Sequence, residues 1–301
     1  MKTAMKIVAA LAALSVALCM VLWLVTRGDY PVAKTTQNDP ALPAMEINGY
    51  RFHGETFGDP ANPVIIVIHG GPGWDYRSLL PLKALSASHF VVFYDQRGSG
   101  LSPRVEASQL TLQSSLADLD AIIETYRGEG QVILVGHSWG AMLATAYLGW
   151  QPHKVSHAVL AEPGFLNREM FEQSGIRFGP RWEAGYLLFA SMRWFESLHI
   201  DEPDADAAMD YFLGEAASEA NREYYCNGVV PEAGKVRWRA GATAMNAILS
   251  SSMDQHGQLA IDLVQGLEHF ERPVLLLASE CNALIGVEQQ KRQQRFYPNS
   301  K

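Results

Sequence analysis

The stretch of sequence that decides the fold is Gly136-His137-Ser138-Trp139-Gly140. It follows a continuous apolar run, Val132 to Val135, and leads into a run of small and apolar residues from Ala141 to Ala146. A strand, a tight turn and a helix in this order are typical of a G-x-S-x-G turn, in which the serine is held in a strained conformation. The residues two before and two after it must then lack bulky side chains, and both are glycine. Ser138 is therefore the candidate nucleophile, at the N-terminus of a helix whose dipole favours negative charge.

A second glycine-rich turn, with the sequence His-Gly-Gly-Pro-Gly at residues 69–73, follows the β-branched run Val64 to Ile68. Glycines let the backbone turn back and direct N–H groups at one point. We expect the N–H groups of Gly71 and Trp139 to form an oxyanion hole, where the loss of one donor costs on the order of 3 kcal/mol in the transition state. Gly70 is a candidate substrate-binding residue.

Continuous apolar runs alternate with helical stretches along the chain. Besides the two strands above, the pattern predicts strands at Phe90 to Tyr94, Val155 to Leu160 and Val274 to Leu277, and helices at Ser78 to Ala87 and Leu112 to Tyr126. This alternation predicts an α/β fold with a mostly parallel sheet and helices on both faces. A hairpin from Glu46 to Phe57, with its turn at Asn48-Gly49, is expected at the sheet edge.

The stretch between Leu160 and Val274 is too long for one crossover and is rich in aromatic residues. We expect it to contain an inserted helical cap, with helices at Arg181 to Leu198 and Asp204 to Glu223. The predicted organisation has five parts: an N-terminal membrane segment (1–28), a linker (29–45), the first part of the catalytic core (46–163), the cap (164–255) and an incomplete second part of the core (256–301).

The N-terminus carries an uncharged run from Ile7 to Val25, close to the roughly 20 residues that cross a bilayer as a helix. Lys2 and Lys6 precede this run and Arg27 follows it, which favours a cytoplasmic N-terminus and a catalytic domain outside the cytoplasm, in the periplasm or the extracellular space. We expect an uncleaved anchor. The alternative is a cleaved signal peptide and a secreted protein, although no A-x-A cleavage site follows the run.

The composition excludes some classes of function. The formal net charge is −8 and no basic stripe is present, which argues against nucleic-acid binding. Of the three cysteines, Cys19 belongs to the membrane segment, and Cys226 and Cys281 either form a disulfide or remain free thiols. No cysteine or histidine cluster has metal-ligand spacing, so we expect no metal and no cofactor. Nothing in the sequence indicates an oligomeric state.

A third motif, Asp-Gln-Arg-Gly-Ser-Gly at residues 95–100, follows the strand Phe90 to Tyr94. We expect Asp95 and Arg97 to hold this loop by pairing with each other or with nearby backbone. With all three motifs in this order and spacing, the chain resembles the proline iminopeptidase family of α/β-hydrolases from about Glu46 onward. The resemblance implies an eight-stranded sheet, a helical cap, a Ser/Asp/His triad and the release of N-terminal residues, typically proline, from short peptides. Some relatives cleave amides or esters instead.

The chain departs from this family at the acid and at the histidine. Asn282 best matches the family's aspartate after the last strand; it can orient a histidine but cannot stabilise its charge. Glu280 is a nearby carboxylate that could replace it. The family's histidine follows one further strand, but this sequence ends where that strand should begin, and His269 is its last histidine.

Two explanations for the missing histidine follow. The chain is either truncated, lacking the last strand and helix together with the base, or a pseudoenzyme, and we favour truncation because the other motifs are intact. In both cases we expect little hydrolytic activity, because a serine without a base is a weak nucleophile.

An aminopeptidase needs an anionic site for the substrate ammonium group. Glu162, just after the strand ending at Leu160, is the candidate, and two cap carboxylates, Glu183 and Glu196, are further ones. The alternative for each of the three is a solvated side chain without a role in binding. The aromatic residues Trp182, Trp194 and Tyr211 would either wall a pocket for a proline ring or form the core of the cap.

These residues favour a membrane-anchored serine hydrolase that acts on a small peptide. The alternatives are an esterase or amidase of the same fold and a membrane-tethered binding protein without catalysis. A serine at position 138 excludes the epoxide hydrolase and haloalkane dehalogenase mechanisms, which need an aspartate there.

Overall fold

A computed structural model describes residues 1–174, 182–220, 224–229 and 237–301 of this chain. Seven strands form one sheet: β1 (Ala44–Ile47), β2 (Tyr50–Phe57), β3 (Val64–Ile68), β4 (Phe90–Tyr94), β5 (Val132–His137), β6 (Val155–Ala161) and β7 (Val274–Leu277). The α-helices among the described residues are α1 (Lys2–Val25), α2 (Leu112–Tyr126), α3 (Trp139–Trp150), α4 (Arg168–Ser174), α5 (Ala184–Ser197), α6 (Ala207–Ala220), α7 (Ala242–Ser251) and α8 (Val287–Gln294).

The strands lie in the order β1-β2-β4-β3-β5-β6-β7. The hairpin β1–β2 is antiparallel and joins the sheet at β4, while every pair from β4 to β7 is parallel. The predicted mostly parallel sheet with an edge hairpin is therefore confirmed. Because the parallel strands all run in one direction, the loops after β3, β4, β5, β6 and β7 meet at the same edge of the sheet.

The central strands β3 and β4 are buried along their whole length because both faces of the sheet are covered. Ile66 and Ile68 pack in the larger hydrophobic core with residues of α2 and α3. Ile65 and Val67 point to the other face and pack in a second core with Tyr76. The continuous β-branched run is thus explained by a strand that has no polar face.

Two predicted helices differ in detail from the structure. Residues Arg77–Ala87 form 3₁₀ turns rather than an α-helix, and Pro81 within them lacks the N–H that an α-helix would need. The cap helices begin later than expected, and the described helices are Ala184–Ser197 and Ala207–Ala220. The predicted helix ends Arg181 and Glu223 lie outside the described residues.

At the far edge of the sheet, β7 pairs with β6 on one side. On its other side residues 299–301 form parallel hydrogen bonds with it: the Val274 N–H donates to the Asn299 carbonyl at 2.9 Å, and the Leu276 N–H donates to the Lys301 carbonyl at 3.0 Å. The resemblance implies eight strands, and the described residues form seven. The helix α8 lies between β7 and these final residues.

Helix α1 is long and apolar enough to cross a membrane, and none of its residues is buried in the protein. The chain that follows it packs on the rest of the molecule. Thr35 and Thr36 are buried, and the Thr36 N–H donates to the Leu101 carbonyl at 2.8 Å. The segment predicted as a linker thus contacts the loop that follows β4.

Cys226 and Cys281 form a disulfide, which resolves the two alternatives left by the sequence. Cys226 lies in a short 3₁₀ turn after α6, and Cys281 lies in the loop after β7. The bond therefore ties the cap region to the carboxyl edge of the sheet. The third cysteine, Cys19, is free and exposed on α1.

Candidate active site

Ser138 lies at the junction of β5 and α3. Its backbone has φ 52° and ψ −117°, a left-handed conformation that is strained for a residue with a side chain. The Ser138 N–H donates to the Ala161 carbonyl at 2.9 Å, which fixes the turn to the end of β6. The serine is the N-terminal cap residue of α3, so its side chain stands where the helix dipole favours a developing negative charge.

The two glycines of the turn have no room for a side chain. A Cβ on Gly136 would lie 2.6 Å from the Gly140 carbonyl oxygen. A Cβ on Gly140 would lie 2.5 Å from the His69 carbonyl oxygen and closer still to that of Ile68. The turn therefore packs directly against the end of β3, and the glycine-rich loop after β3 is held beside the serine.

That loop supplies one of the two predicted donors, Gly71, and a close neighbour of the serine, Gly70. A Cβ on Gly70 would lie 3.1 Å from the Cβ of Ser138, so Gly70 leaves space next to the candidate nucleophile. Gly71 has φ +123°, a conformation that favours glycine. Within the described residues, the N–H groups of Gly71 and Trp139 donate to no protein acceptor. Both are therefore available to an oxyanion.

Gln96 joins the three motif loops, a role that sequence reasoning missed. Its side-chain amide donates to the His69 carbonyl at 2.8 Å, and its side-chain oxygen accepts from the Trp139 indole at 3.0 Å. Its backbone N–H donates to Nε2 of His69 at 2.9 Å. The signal in the sequence is a polar residue two positions after a buried strand, between the charged residues Asp95 and Arg97.

Asp95 and Arg97 do not pair with each other. Asp95 is fully buried, and its carboxylate bonds to Nδ1 of His53 at 2.7 Å and accepts from the Leu101 N–H at 2.8 Å. Arg97 instead forms two hydrogen bonds to Asp118 on α2, at 2.8 and 2.6 Å. The first expected alternative, a pair between them, is wrong because Asp95 points into the fold and Arg97 points toward α2. The second alternative, pairing with nearby backbone, holds for Asp95. Both hold the loop.

The loops after β6 and β7 bring two of the predicted site residues together. Glu162 has a left-handed φ of 48° at the end of β6. One carboxylate oxygen accepts from the N–H and the hydroxyl of Ser279, both at 2.7 Å, and the other accepts from the Asn282 side-chain amide at 3.1 Å. Asn282 in turn accepts from the N–H groups of Leu284 and Ile285 at 3.0 Å. We call Glu162, Ser279 and Asn282 the carboxylate cluster.

Glu280 stands apart from the carboxylate cluster. Its side chain is exposed, and within the described residues it forms no hydrogen bond or ion pair. The carboxylate that contacts the position of the family's acid is thus Glu162, which the sequence placed among substrate-binding residues. Within the part of the chain described, no cation pairs with Glu162 either, so its negative charge is shared only with neutral donors.

The negative charge of Glu162 affects the pKa of His137, the residue that precedes Ser138. Burial lowers the pKa of His137, and the negative charge of Glu162 opposes this shift. Nδ1 of His137 lies 3.0 Å from the point that a Cβ on Gly70 would occupy. Burial likewise lowers the pKa of His69, whose ring accepts from Gln96. Both histidines are therefore neutral packing groups around neutral pH.

All nine histidines fall within the described residues, and none of them forms a hydrogen bond to the Ser138 hydroxyl. His53 is bound to Asp95, and His199 contacts α1. His256 and His269 are exposed. Across the described ranges, no group of three or more metal-binding side chains is found.

The cap candidates are mostly engaged elsewhere or exposed. Glu196 is buried, with Arg193 at 2.8 Å and the Tyr211 hydroxyl at 2.7 Å, so its charge is compensated inside the cap. Trp194 packs edge-to-face on Phe212. Two candidates at the start of α5, Trp182 and Glu183, are exposed. Tyr211 and Trp194 thus help to form the cap interior.

Comparisons with known proteins agree with this fold. The model of the family described as "Alpha/beta hydrolase family" matches residues 65–298. A proline iminopeptidase of Heyndrickxia coagulans is 34% identical over 134 residues, which cover 44% of this chain and 46% of that protein. Epoxide hydrolase B of Mycobacterium tuberculosis is 28% identical over 149 residues, covering 48% of this chain and 41% of that protein. The chain thus spans less than half the length of these curated relatives.

The crystal structure of a proline iminopeptidase from Mycobacterium smegmatis superposes with a TM-score of 0.57 at 18% identity, covering 86% of this chain and 88% of that one. At this identity the likeness concerns the fold alone. The expected α/β-hydrolase fold is confirmed, and the chain is similar to proline iminopeptidases.

Proposed function

Because this chain belongs to the alpha/beta hydrolase family, we propose that it is a serine hydrolase with Ser138 as its nucleophile. The hydroxyl oxygen attacks the carbonyl carbon of a small amide or ester. The negative charge that develops on the carbonyl oxygen is stabilised by the N–H groups of Gly71 and Trp139. The proton of the Ser138 hydroxyl passes to the leaving group, so loss of the amine or alcohol leaves an acyl-enzyme on Ser138. Water then hydrolyses this ester, which releases the acid and restores the hydroxyl.

One observation carries this proposal. Ser138 has a left-handed backbone at a helix N-terminus, beside two N–H groups that find no acceptor in the described part of the protein. A strained nucleophile and two unpaired donors are costly for a turn that has only a structural role. We do not propose the reaction of the epoxide hydrolase relative for this chain, because this chain has serine at the nucleophile position.

The substrate class that fits best is a short peptide or amide with a free amino terminus, as in proline iminopeptidases. The support is Glu162, whose carboxylate accepts from neutral donors and pairs with no described cation. A carboxylate in this state attracts a substrate ammonium group. Glu196 is less suited because Arg193 already compensates its charge.

We expect turnover to be slow. The Ser138 proton needs an acceptor, and no histidine of the described chain hydrogen-bonds to that hydroxyl. This same observation favours a second candidate function, a membrane-tethered protein that binds small ligands without hydrolysing them.

Labelling with a fluorophosphonate probe tests the nucleophile. We expect slow covalent labelling of the full chain and none of Ser138→Ala. The matched control is Ser88→Ala, because Ser88 also lies beside a histidine, 2.9 Å from Nδ1 of His89, but on the surface and outside any strained turn. Labelling that survives in Ser138→Ala would refute the assignment of the nucleophile.

Turnover of proline naphthylamide and of a p-nitrophenyl ester separates the substrate classes. We expect proline naphthylamide to be the better substrate, and Glu162→Gln to reduce its kcat/KM more than that of the ester, because only the amine substrate carries a positive charge. Equal losses for both substrates would remove Glu162 from ammonium recognition. Labelling of Ser138 without turnover of either substrate would favour the binding protein.

A further inference from the structure

Helix α5 and its flanks expose an unusual number of large apolar side chains. We call five of them the cap face, and their exposed fractions are Trp182 76%, Leu188 59%, Leu198 52%, Trp194 41% and Leu187 40%. With 3.6 residues per turn, positions 187, 188, 194 and 198 fall on one side of the helix. Soluble monomers rarely leave such a stripe open to water.

The other side of α5 holds the cap together, and Trp194 is a cap-face residue that also takes part in this packing. Glu196 is buried there between Arg193 and Tyr211 of α6. The edge of the Trp194 ring contacts Phe212 and leaves part of the indole outside. The helix therefore has its buried polar contacts inside the cap and its apolar side chains outside.

The cap face adjoins the helix that can cross a membrane. The Trp23 ring lies 5.0 Å from the His199 ring, and the Trp23 carbonyl is 2.9 Å from Nε2 of His199. One turn earlier on α5, Phe195 lines a groove with residues of α1 that include Cys19 and Met20. The carboxyl end of α5 thus lies against the carboxyl-terminal half of α1.

The contacts between α5 and α1 also indicate the depth of α5 relative to the membrane surface. Arg27 stacks on Trp23 at 4.3 Å, and tryptophan and arginine are residues that anchor a helix at the membrane surface. Cys19 and Met20 lie three to four residues before Trp23, which is about 5 Å along a helix. The groove that Phe195 lines runs along α1 from Ser15 to Trp23, about 12 Å on a helix, so Phe195 lies beside the part of α1 that precedes Trp23. Helices that lie in a membrane surface bury their apolar face about 5–10 Å.

We propose that the cap face of α5 lies in the headgroup region of the same bilayer that α1 crosses. The occupant of this surface is lipid, because the cap face is continuous with α1, whose own surroundings would be lipid. The inference rests on the proposed anchoring of α1. It adds a second membrane contact, made by the cap itself.

Site-directed spin labelling of the full chain in phosphatidylcholine vesicles tests this proposal. Single cysteines are placed in a Cys19→Ala background at three exposed positions, and each carries a nitroxide. Leu188→Cys reports the cap face, Val8→Cys reports α1, and Lys83→Cys reports the hydrolase core. The Cys226–Cys281 disulfide leaves no other thiol to react. The readout is the accessibility of each nitroxide to oxygen, which concentrates in lipid, relative to a water-soluble nickel complex.

We expect the oxygen-to-nickel ratio at position 188 to exceed that at position 83 several-fold and to approach the value at position 8. A ratio at position 188 equal to that at position 83, with position 8 in lipid, would overturn the inference and leave the anchor intact. Water-like ratios at all three positions would refute the anchor, and the cap contact with it.

Discussion

Gly140 shows how little freedom the nucleophile turn allows at the level of one residue. A Cβ there would meet the His69 carbonyl at 2.5 Å, and backbone cannot move aside as a flexible side chain can. We expect Gly140→Ala to lower the free energy of unfolding by at least about 2 kcal/mol, measured by urea denaturation. The matched control is Gly185→Ala in α5, where a Cβ would meet nothing within 4 Å. That variant is expected to gain up to about 1 kcal/mol. Similar stabilities for the two variants would contradict the packing described here.

Asp75 gives a second prediction at this scale, for pH. Burial, followed by the nearby Asp95 charge, raises the pKa of Asp75 from 3.8 to about 7. Below about pH 4 the carboxyl is protonated in both the folded and the unfolded chain. Between about pH 4 and 7 only the folded chain keeps the proton, so stability falls as the pH rises through this window and is constant above it.

We therefore expect the wild type to lose about 2 kcal/mol more than Asp75→Asn between pH 5 and pH 8. Urea denaturation of both proteins at the two pH values measures this difference. Asp75→Asn also loses hydrogen bonds from backbone N–H groups, but that loss is similar at both pH values and cancels in the comparison. Parallel pH dependences would show that the carboxyl ionises normally.

At the scale of elements, Glu162 connects the end of β6 to the loop after β7. Its carboxylate accepts three hydrogen bonds from that loop. We expect Glu162→Ala to lower the free energy of unfolding by about 1–3 kcal/mol, because the donors lose a charged acceptor. Glu280→Ala, in the same loop but without a described partner, is expected to stay within about 0.5 kcal/mol of wild type. Equal losses in thermal or urea unfolding would show that the contacts of Glu162 do not support the loop.

The elements also show what could be predicted from the sequence. The strands β3 and β4 were predictable to the residue because a continuous apolar run allows no alternative face. The bounds of β7 were predicted as well, although Leu275 and Leu277 of this edge strand are exposed. The 3₁₀ turns at Arg77–Ala87 were not, because an apolar pattern does not distinguish helix types and Pro81 was the only local signal. The nucleophile turn was predictable because its glycines are required by packing within one short stretch.

The rest of the site depends on contacts between distant stretches. Gln96 bonds to residues 27 positions before it and 43 positions after it, and nothing in its own neighbourhood specifies either partner. Glu162 and Asn282 are 120 positions apart, so the carboxylate of the acid region could not be assigned from the loop after β7 alone. The spacing of residues within a motif predicts a turn well. The side chains that meet at a sheet edge depend instead on the order of the strands in the sheet.

At the scale of the whole molecule, the disulfide and α1 together predict on which side of the membrane the domain lies. A disulfide persists in oxidising compartments and is rare in the cytosol. We expect protein recovered from membranes to bind one alkylating group per chain before reduction, at Cys19, and three after it, as mass spectrometry would show. In Cys281→Ser the count should be two in both conditions. Three groups before reduction in the wild type would place the domain on the cytoplasmic side.

The crowding around Gly140 also limits how this chain can change over generations. Any codon change that replaces this glycine introduces a side chain where backbone already stands, so selection for a folded chain is enough to retain it. Folding places no comparable constraint on the side chain of Ser138, because its hydroxyl makes no hydrogen bond in the described structure. A lineage that lost hydrolysis would keep both glycines and drift at the serine. Retention of the serine, rather than of the glycines around it, would therefore be the sign of selection for hydrolysis.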